Sequence, residues 1–503
     1  MSQKSSPLPR KKTNSPKSLR DFKPLAKLEF HPHMAVQQSL LGTNQFEFLN
    51  VKQKFDHIDW NYAEHGKLWT YNLNYFDFLN QEKTSKEQGL ALIHDFCSKS
   101  ESHKDGYEPY PISLRSINWV KFLSLHGIRD EKIDQQLYND LQRLTGQLEY
   151  HILANHLFEN GFGLLFGAYY FQDDGLYGIA KKIIRSQLKE QILPDGAHYE
   201  LTPMYHQIIL YRILDCYQLV SKNAWKNNEL ASELKDAASR MLGWLKNMQF
   251  SSGELPLVND STNNIAPTPA ELYSYAEKLG ISVKSMPLNE SGYRFFRSEN
   301  LELLMDVGQI APSYQPGHSH ADNLQILVYK AGKPYLVDTG ISTYEKNARR
   351  QLERSTSSHN TLTVDGRNSS EVWSGFRVGR RAKTKLREDN ANFIEASHDG
   401  YSYLGAIHQR SVELVTGGLA IKDTVFCKKR NKTITGNLHF HPDRQVRLEG
   451  HQFFVDGNLF SSFQGTCYAS LAEYDYCFGY NQRSAATKIT YNLDKVCQFI
   501  IHQ

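Results

Sequence analysis

The sequence predicts an α+β multidomain protein, helical up to about residue 285 and all-β from 286 to 503. Two observations carry this. Between about 84 and 285 apolar residues recur at helical spacing, and after about 290 the period changes to two. Helices first and strands afterwards segregate into separate layers rather than one mixed sheet. At 503 residues the chain can bury a core in each part. Pockets favour domain interfaces, so the active cleft is expected between the two.

The elements follow in order. Residues 1–25 carry Arg10, Lys11, Lys12, Lys17 and Arg20 among Ser and Pro without an apolar run, which reads as a disordered basic tail and not as a secretory signal. Residues 26–80 are mixed, with an aromatic cluster from Trp69 to Phe76. Leu90, Leu92, Ile93 and Phe96 predict a helix, as do Leu137, Leu141, Leu144 and Leu148. Further helical runs cover about 112–127, 155–171, 175–192, 203–221, 226–248 and 269–280. Breaks such as Pro194-Asp195-Gly196 and Ser251-Ser252-Gly253 are short, which predicts antiparallel helical hairpins. Leu301 to Val307 and Leu324 to Lys330 read as strands. The second turns through Ala331-Gly332-Lys333-Pro334 into Tyr335-Leu336-Val337. Strand-like runs continue through 411–415 to 499–502.

Composition excludes several classes. A net charge of +4 leaves no nucleic-acid footprint, although a mildly basic chain suits an acidic polymer. No run of 18 apolar residues is present to span a membrane. Six cysteines without CxxC spacing read as reduced core thiols. As written, the chain is expected in the cytoplasm, or in the periplasm if its N-terminus is incomplete. An aromatic content of 12% fills a β core and also suits stacking on sugar rings.

Three short stretches concentrate chemistry: Gly317-His318-Ser319-His320-Ala321-Asp322, Asp338, and Ser358-His359-Asn360. Imidazole and carboxylate groups at strand edges are what a zinc-type ion takes. In an extended segment His318 and His320 share a face about 7 Å apart, which suits two adjacent tasks better than one shared ion. Taken singly, each reads as a loop histidine bonded to backbone. In the helical part, Asn155 and Glu159 share a helix face with His156 beside them, and such buried polar groups need partners. Thr202-Pro203 starts a helix that puts Tyr205 and His206 in its first turn, with Tyr199 and Glu200 just before it. Tyr110 to Trp119 offers Arg115 to a carboxylate.

In this order, these motifs resemble the heparinase II/III-like polysaccharide lyases, over roughly residues 60–445. The resemblance implies an incomplete (α/α) toroid at 26–285 followed by an antiparallel β-sandwich at 286–503. It implies β-elimination on a uronic-acid-containing acidic polysaccharide, with Asn155 and His156 neutralising the carboxylate and Tyr205 and His318 transferring protons. It assigns Arg115, Trp119, Glu159, Tyr199 and Tyr344 to substrate binding. A supporting Zn2+ falls to His320, Asp338 and His359. Tyr199 competes with Tyr205 for proton transfer, and Tyr205 needs a lowered pKa or a partner to act as base. A glycoside hydrolase using Glu159 and Glu200, or a non-catalytic glycan-binding protein, are the alternatives. The mild charge favours an unsulfated polymer such as a bacterial exopolysaccharide.

Overall fold

The computed structural model describes residues 28–31, 34, 36–428, 432–464 and 467–503. The basic tail expected at 1–25 lies outside them, as does the Cys467 side chain. The N-terminal part holds α1 (Lys67–Tyr75), α2 (Lys86–Ser98), α3 (Pro109–Leu125), α4 (Glu131–Gly146), α5 (Ala154–Phe171), α6 (Asp174–Gln191), α7 (Pro203–Lys222), α8 (Ala231–Met248) and α9 (Pro269–Lys278). Their starts follow local chemistry. Asp130 and Asp173 side chains cap α4 and α6, Pro203 opens α7, and Thr268 with Glu271 forms a capping box on α9. α8 begins later than expected because Asn227 and Asn228 take left-handed φ of 49° and 58°. α5 is buried along its length and packs on α3, α4, α6 and α7.

One small sheet goes beyond the sequence reading. Leu40–Gly42, Gln45–Phe48 and Val51–Lys54 pair antiparallel, through turns with left-handed φ at Asn44, Leu49 and Asn50. It buries Phe46 against Phe78 and Phe48 against Trp69. Its far turn reaches the other domain, where Asn50 Nδ2 donates to the Tyr480 carbonyl at 2.9 Å.

The helices of the first part end at Lys278 and the strands of the second part begin at Tyr293. There an antiparallel sheet runs Tyr293–Arg297, Leu301–Asp306, Ile326–Lys330, Lys333–Leu336. The last turn is two residues, Ala331 and Gly332 at φ 50° and 70°, so the strand resumes at Lys333 instead of Tyr335. An eight-stranded sheet spans Thr384–Asp389 to Val446–Glu449, and a four-stranded one joins Cys467–Gly479, Gln482–Leu493, Ile434–His439 and Leu362–Val364. Val328, Leu336, Leu438, Ile421 and Phe499, from all three sheets, share one apolar core. Cys216, Cys477 and Cys497 are buried.

The two parts are joined by a third apolar cluster. Leu201, Trp244, Met248 and Phe250 from the helical side pack on Tyr293, Leu304, Leu327 and Tyr329. Phe250 and Tyr329 stack with ring centroids 3.7 Å apart. Among the described residues, no helix is long and apolar enough to cross a membrane.

Candidate active site

Four chain segments meet where the helices face the β domain: the start of α5, the entry to α7, the loop 259–261, and the loop 317–324. Each contains a non-glycine residue at left-handed φ, namely Leu153 and Ala154 (61° and 52°), Leu201 (52°), Asn259 (53°) and Leu324 (63°). Backbone held this way needs surrounding structure to enforce it, and such residues gather at functional sites.

From the helical side come Asn155, His156, Glu200 and Tyr205. Asn155 Nδ2 donates to Glu200 Oε2 at 3.1 Å. Burial raises the Glu200 pKa, with His318 pulling the other way. His156 is partly exposed, its Nδ1 is 2.9 Å from Glu149 Oε1, and its ring meets Tyr110 at 4.5 Å. Tyr205, in the first turn of α7, is half-buried. Its ring packs on His318 with centroids 4.1 Å apart, and its hydroxyl lies 3.3 Å from the Tyr344 hydroxyl. Burial pushes its pKa well above the usual phenol value, so Tyr205 rests as a phenol.

From the β side come His318, His320, Asp338, Tyr344 and His359. The loop 317–322 is not a strand, and the two histidines do not stand apart as an extended segment implies. Both turn onto one carboxylate: His318 Nδ1 lies 2.8 Å from Asp260 Oδ2, and His320 Nε2 lies 2.8 Å from Asp260 Oδ1. His318 Nε2 is 3.8 Å from Glu200 Oε1, so Glu200 stands between Asn155 and His318. Asp260 is buried and would be raised by that alone, but Arg350 and the histidine hydrogen bonds hold it well below the usual carboxylate range. Burial lowers the His320 pKa to about 4.

The residues expected to bind a metal lie together. His359 Nδ1 is 2.9 Å from Asp338 Oδ2, and the His320 and His359 rings are 5.3 Å apart. His320 Nδ1 and His359 Nε2 are buried without a hydrogen-bond partner, which is the donor set an ion would satisfy. Among the described residues, no three His, Cys, Asp or Glu side chains are already gathered at ligating positions.

Three expected substrate contacts need correction, because the structure closes them inside the helical part. Arg115 is fully buried, with Nη2 donating to Asp140 Oδ2 at 2.7 Å and Nη1 to the Gly106 carbonyl at 2.8 Å. Trp119 is fully buried, edge-on to Phe76 and Phe96. Glu159 has no exposed surface and takes Arg212 Nε at 3.2 Å. Each lies on a helix face that turns to the core. Tyr199 is buried, and its hydroxyl accepts from Tyr314 at 3.2 Å. Tyr344 does reach Tyr205.

Asp260, Arg350 and Glu149 escaped sequence reading. Asp260 sits in an aperiodic loop, and its partners are 58, 60 and 90 residues away. No local pattern announces such a contact.

Residues 31–278 match the family model described as Heparinase II/III N-terminus, and residues 282–501 the one described as Heparinase II/III-like, C-terminal. A heparin-sulfate lyase of Pedobacter heparinus is 24% identical over 286 residues, covering 52% of this chain and 41% of that protein. The chain thus spans less than half the length of that relative. A solved structure of heparinase III superposes with TM-score 0.67 at 14% identity, over 90% of this chain and 80% of that one. The heparan sulfate lyase structure from Pedobacter heparinus gives TM-score 0.60 at 16% identity, over 91% and 81%. At these identities the solved structures establish the fold alone.

Proposed function

The chain belongs to the heparinase II/III-like family, and from that premise we propose that it is a polysaccharide lyase cleaving a uronic-acid-containing polysaccharide by β-elimination. The observation that carries this reading is the packing of Tyr205 on His318, facing the Asn155–Glu200 pair across the cleft. A hydrolase would need two free carboxyls flanking the bond. Of its candidates, Glu159 is bound by Arg212 and Glu200 by Asn155.

The C5 proton of a uronate is hard to remove while the neighbouring carboxylate keeps its charge. Asn155 supplies an amide N–H to that carboxylate, and Glu200, whose burial favours its neutral form, shares a hydrogen bond with it. His156, oriented by Glu149, adds a donor from the rim. With Nδ1 donating to Asp260, His318 keeps a lone pair on Nε2 and takes the C5 proton. The C5 electrons form the C4–C5 double bond, the C4–O bond breaks, and the Tyr205 phenol protonates the leaving oxygen. The imidazolium of His318 stands against the resulting phenolate and returns the proton, which closes the cycle. A raised phenol pKa suits an acid that must wait for its leaving group.

His320, Asp338 and His359 would hold a zinc-type ion, since two buried imidazole nitrogens there lack partners. Such an ion would brace the β side of the cleft. Metal content of the purified protein, and its loss in a His359→Ala variant, test this.

The relative's name places heparan sulfate on the test panel. An unsulfated uronate polymer, of bacterial exopolysaccharide type, is the substrate class we favour. Its support is that Arg350 beside the site is bound to a carboxylate of the protein. The test is a panel of uronate polymers, read by the ultraviolet absorbance of the C4–C5 double bond. Unsaturated products without solvent oxygen support the lyase, while solvent-oxygen incorporation without absorbance overturns it.

A further inference from the structure

Asp260 is fully buried and therefore cannot touch a sugar, yet it binds more of the site than any group that can. Its Oδ2 takes His318 Nδ1, its Oδ1 takes His320 Nε2, and Arg350 grips both oxygens, with Nη2 at 2.6 Å from Oδ2. A carboxylate only accepts, so His318 must present its Nδ1 proton there and its Nε2 to the cleft. The backbone carries the same message, because Asp260 N–H donates to the His318 carbonyl at 3.2 Å.

The flanking residues hold this loop from three sides. Asn259 Nδ2 donates to the Leu201 carbonyl at 3.0 Å, and its Oδ1 accepts from His320 N–H at 3.0 Å. Ser261 Oγ accepts from Met204 N–H at 3.3 Å, in the residue before Tyr205. Arg350, on the short helix α10 (Ala348–Glu353), also donates to the Gly375 carbonyl at 3.0 Å. Its guanidinium lies 4.9 Å from the Tyr344 ring centre, and the Tyr344 hydroxyl meets that of Tyr205. One turn on, Arg354 donates to the Ser319 carbonyl at 2.9 Å.

We propose that Asp260 and Arg350 form one buried positioning unit for both proton-transfer groups, the carboxylate orienting His318 and the guanidinium backing Tyr344 against Tyr205. The unit rests on the lyase reading for its consequence but not for its geometry. A purely structural ion pair would have to hold the loop and no more.

Removing one partner alone strands a buried charge, so the single variants can fail by unfolding. The Asp260→Asn, Arg350→Gln double variant removes both charges together, keeping the shape of the first side chain and a shortened polar form of the second. It is compared with wild type for kcat, KM and thermal midpoint on the polymer that wild type cleaves. A near-native midpoint and unchanged KM with kcat down about 100-fold or more is expected, the scale of a misplaced reacting group. Single Asp260→Glu, which keeps the charge but moves it by one methylene, should fall between the two in kcat. Native kcat in the folded double variant overturns the proposal, and so does a fall confined to KM. A double variant that does not fold assigns the pair to stability and overturns it equally. A wild type inactive on every uronate polymer would instead sink the lyase reading. The orientation of His318 is then read from its ring nitrogen NMR shifts, where an unchanged proton position in the double variant overturns the unit itself.

Discussion

At the scale of single residues, burial sets what each titratable group can do. Tyr205 is kept as a phenol by desolvation, which suits the proton-donor part proposed for it. Tyr205→Phe keeps the ring that packs on His318 and removes only that proton. It should lower kcat by about 100-fold or more and leave KM within a few fold, as general-acid loss does, measured by initial rates of double-bond formation. His206, beside it in sequence, has a different task. It lies under Trp244 with Nε2 3.0 Å from the Met241 carbonyl, and its Nδ1 accepts from His198 N–H. That pattern needs the neutral ring, and burial lowers its pKa to about 3 from an ordinary value near 6.5. Above pH 6.5 neither folded nor unfolded chain protonates it. Below that pH the unfolded chain takes up the proton first, so its stabilising contribution falls by up to about 1.4 kcal/mol per pH unit down to pH 3. Urea midpoints at pH 7.5 and 5.5 should therefore differ less in His206→Asn than in wild type, although the variant is less stable at both.

At the scale of elements, close approach of helices places the site. α5 can carry Asn155 to the cleft because Gly163, two turns on, lets it lie against α3. A Cβ there would stand 2.8 Å from Ser113 Cα and 2.9 Å from the Ser113 carbonyl oxygen. Gly178 in α6 has nothing within 4 Å of such a Cβ. The two glycines thus predict opposite signs. Gly163→Ala should destabilise by about 1–3 kcal/mol through overpacking, against its gain in helix propensity. Gly178→Ala should stabilise by about 0.5–1 kcal/mol, from that gain alone. Chemical denaturation of both variants checks the pair. Most helices were legible as elements, since α2, α4, α6 and α8 bury residues at helical spacing. The sheet at 40–54 was not, because strands of three or four residues with asparagine turns leave too short a pattern to read.

At the scale of the whole molecule, the cleft is only as well defined as the junction between the two parts. That junction is apolar and includes the Phe250–Tyr329 stack, Trp244 and Leu201. Leu201 lies just before the helix that delivers Tyr205, so loosening the junction loosens Tyr205. Phe250→Ala should cost about 3–5 kcal/mol, the range for a buried aromatic. It should also lower kcat, seen by calorimetry together with rates at a temperature where the variant is folded.

The sequence by itself determined the order of helices and strands and the family resemblance, and it singled out Asn155, His156, Tyr205, His318, His320, Asp338, Tyr344 and His359 as candidates. Each of these is announced by neighbours in the chain, such as a helix start, a strand end or a short motif. Only the tertiary structure decided which polar residues turn inward, and so withdrew Arg115, Trp119 and Glu159 from the cleft to the helical core. It also decided that His318 and His320 converge on Asp260, and that Arg350 secures that carboxylate from 90 residues away. Periodicity reports which face of an element is buried, but a buried charge is defined by its partner, and the partner is chosen by the fold.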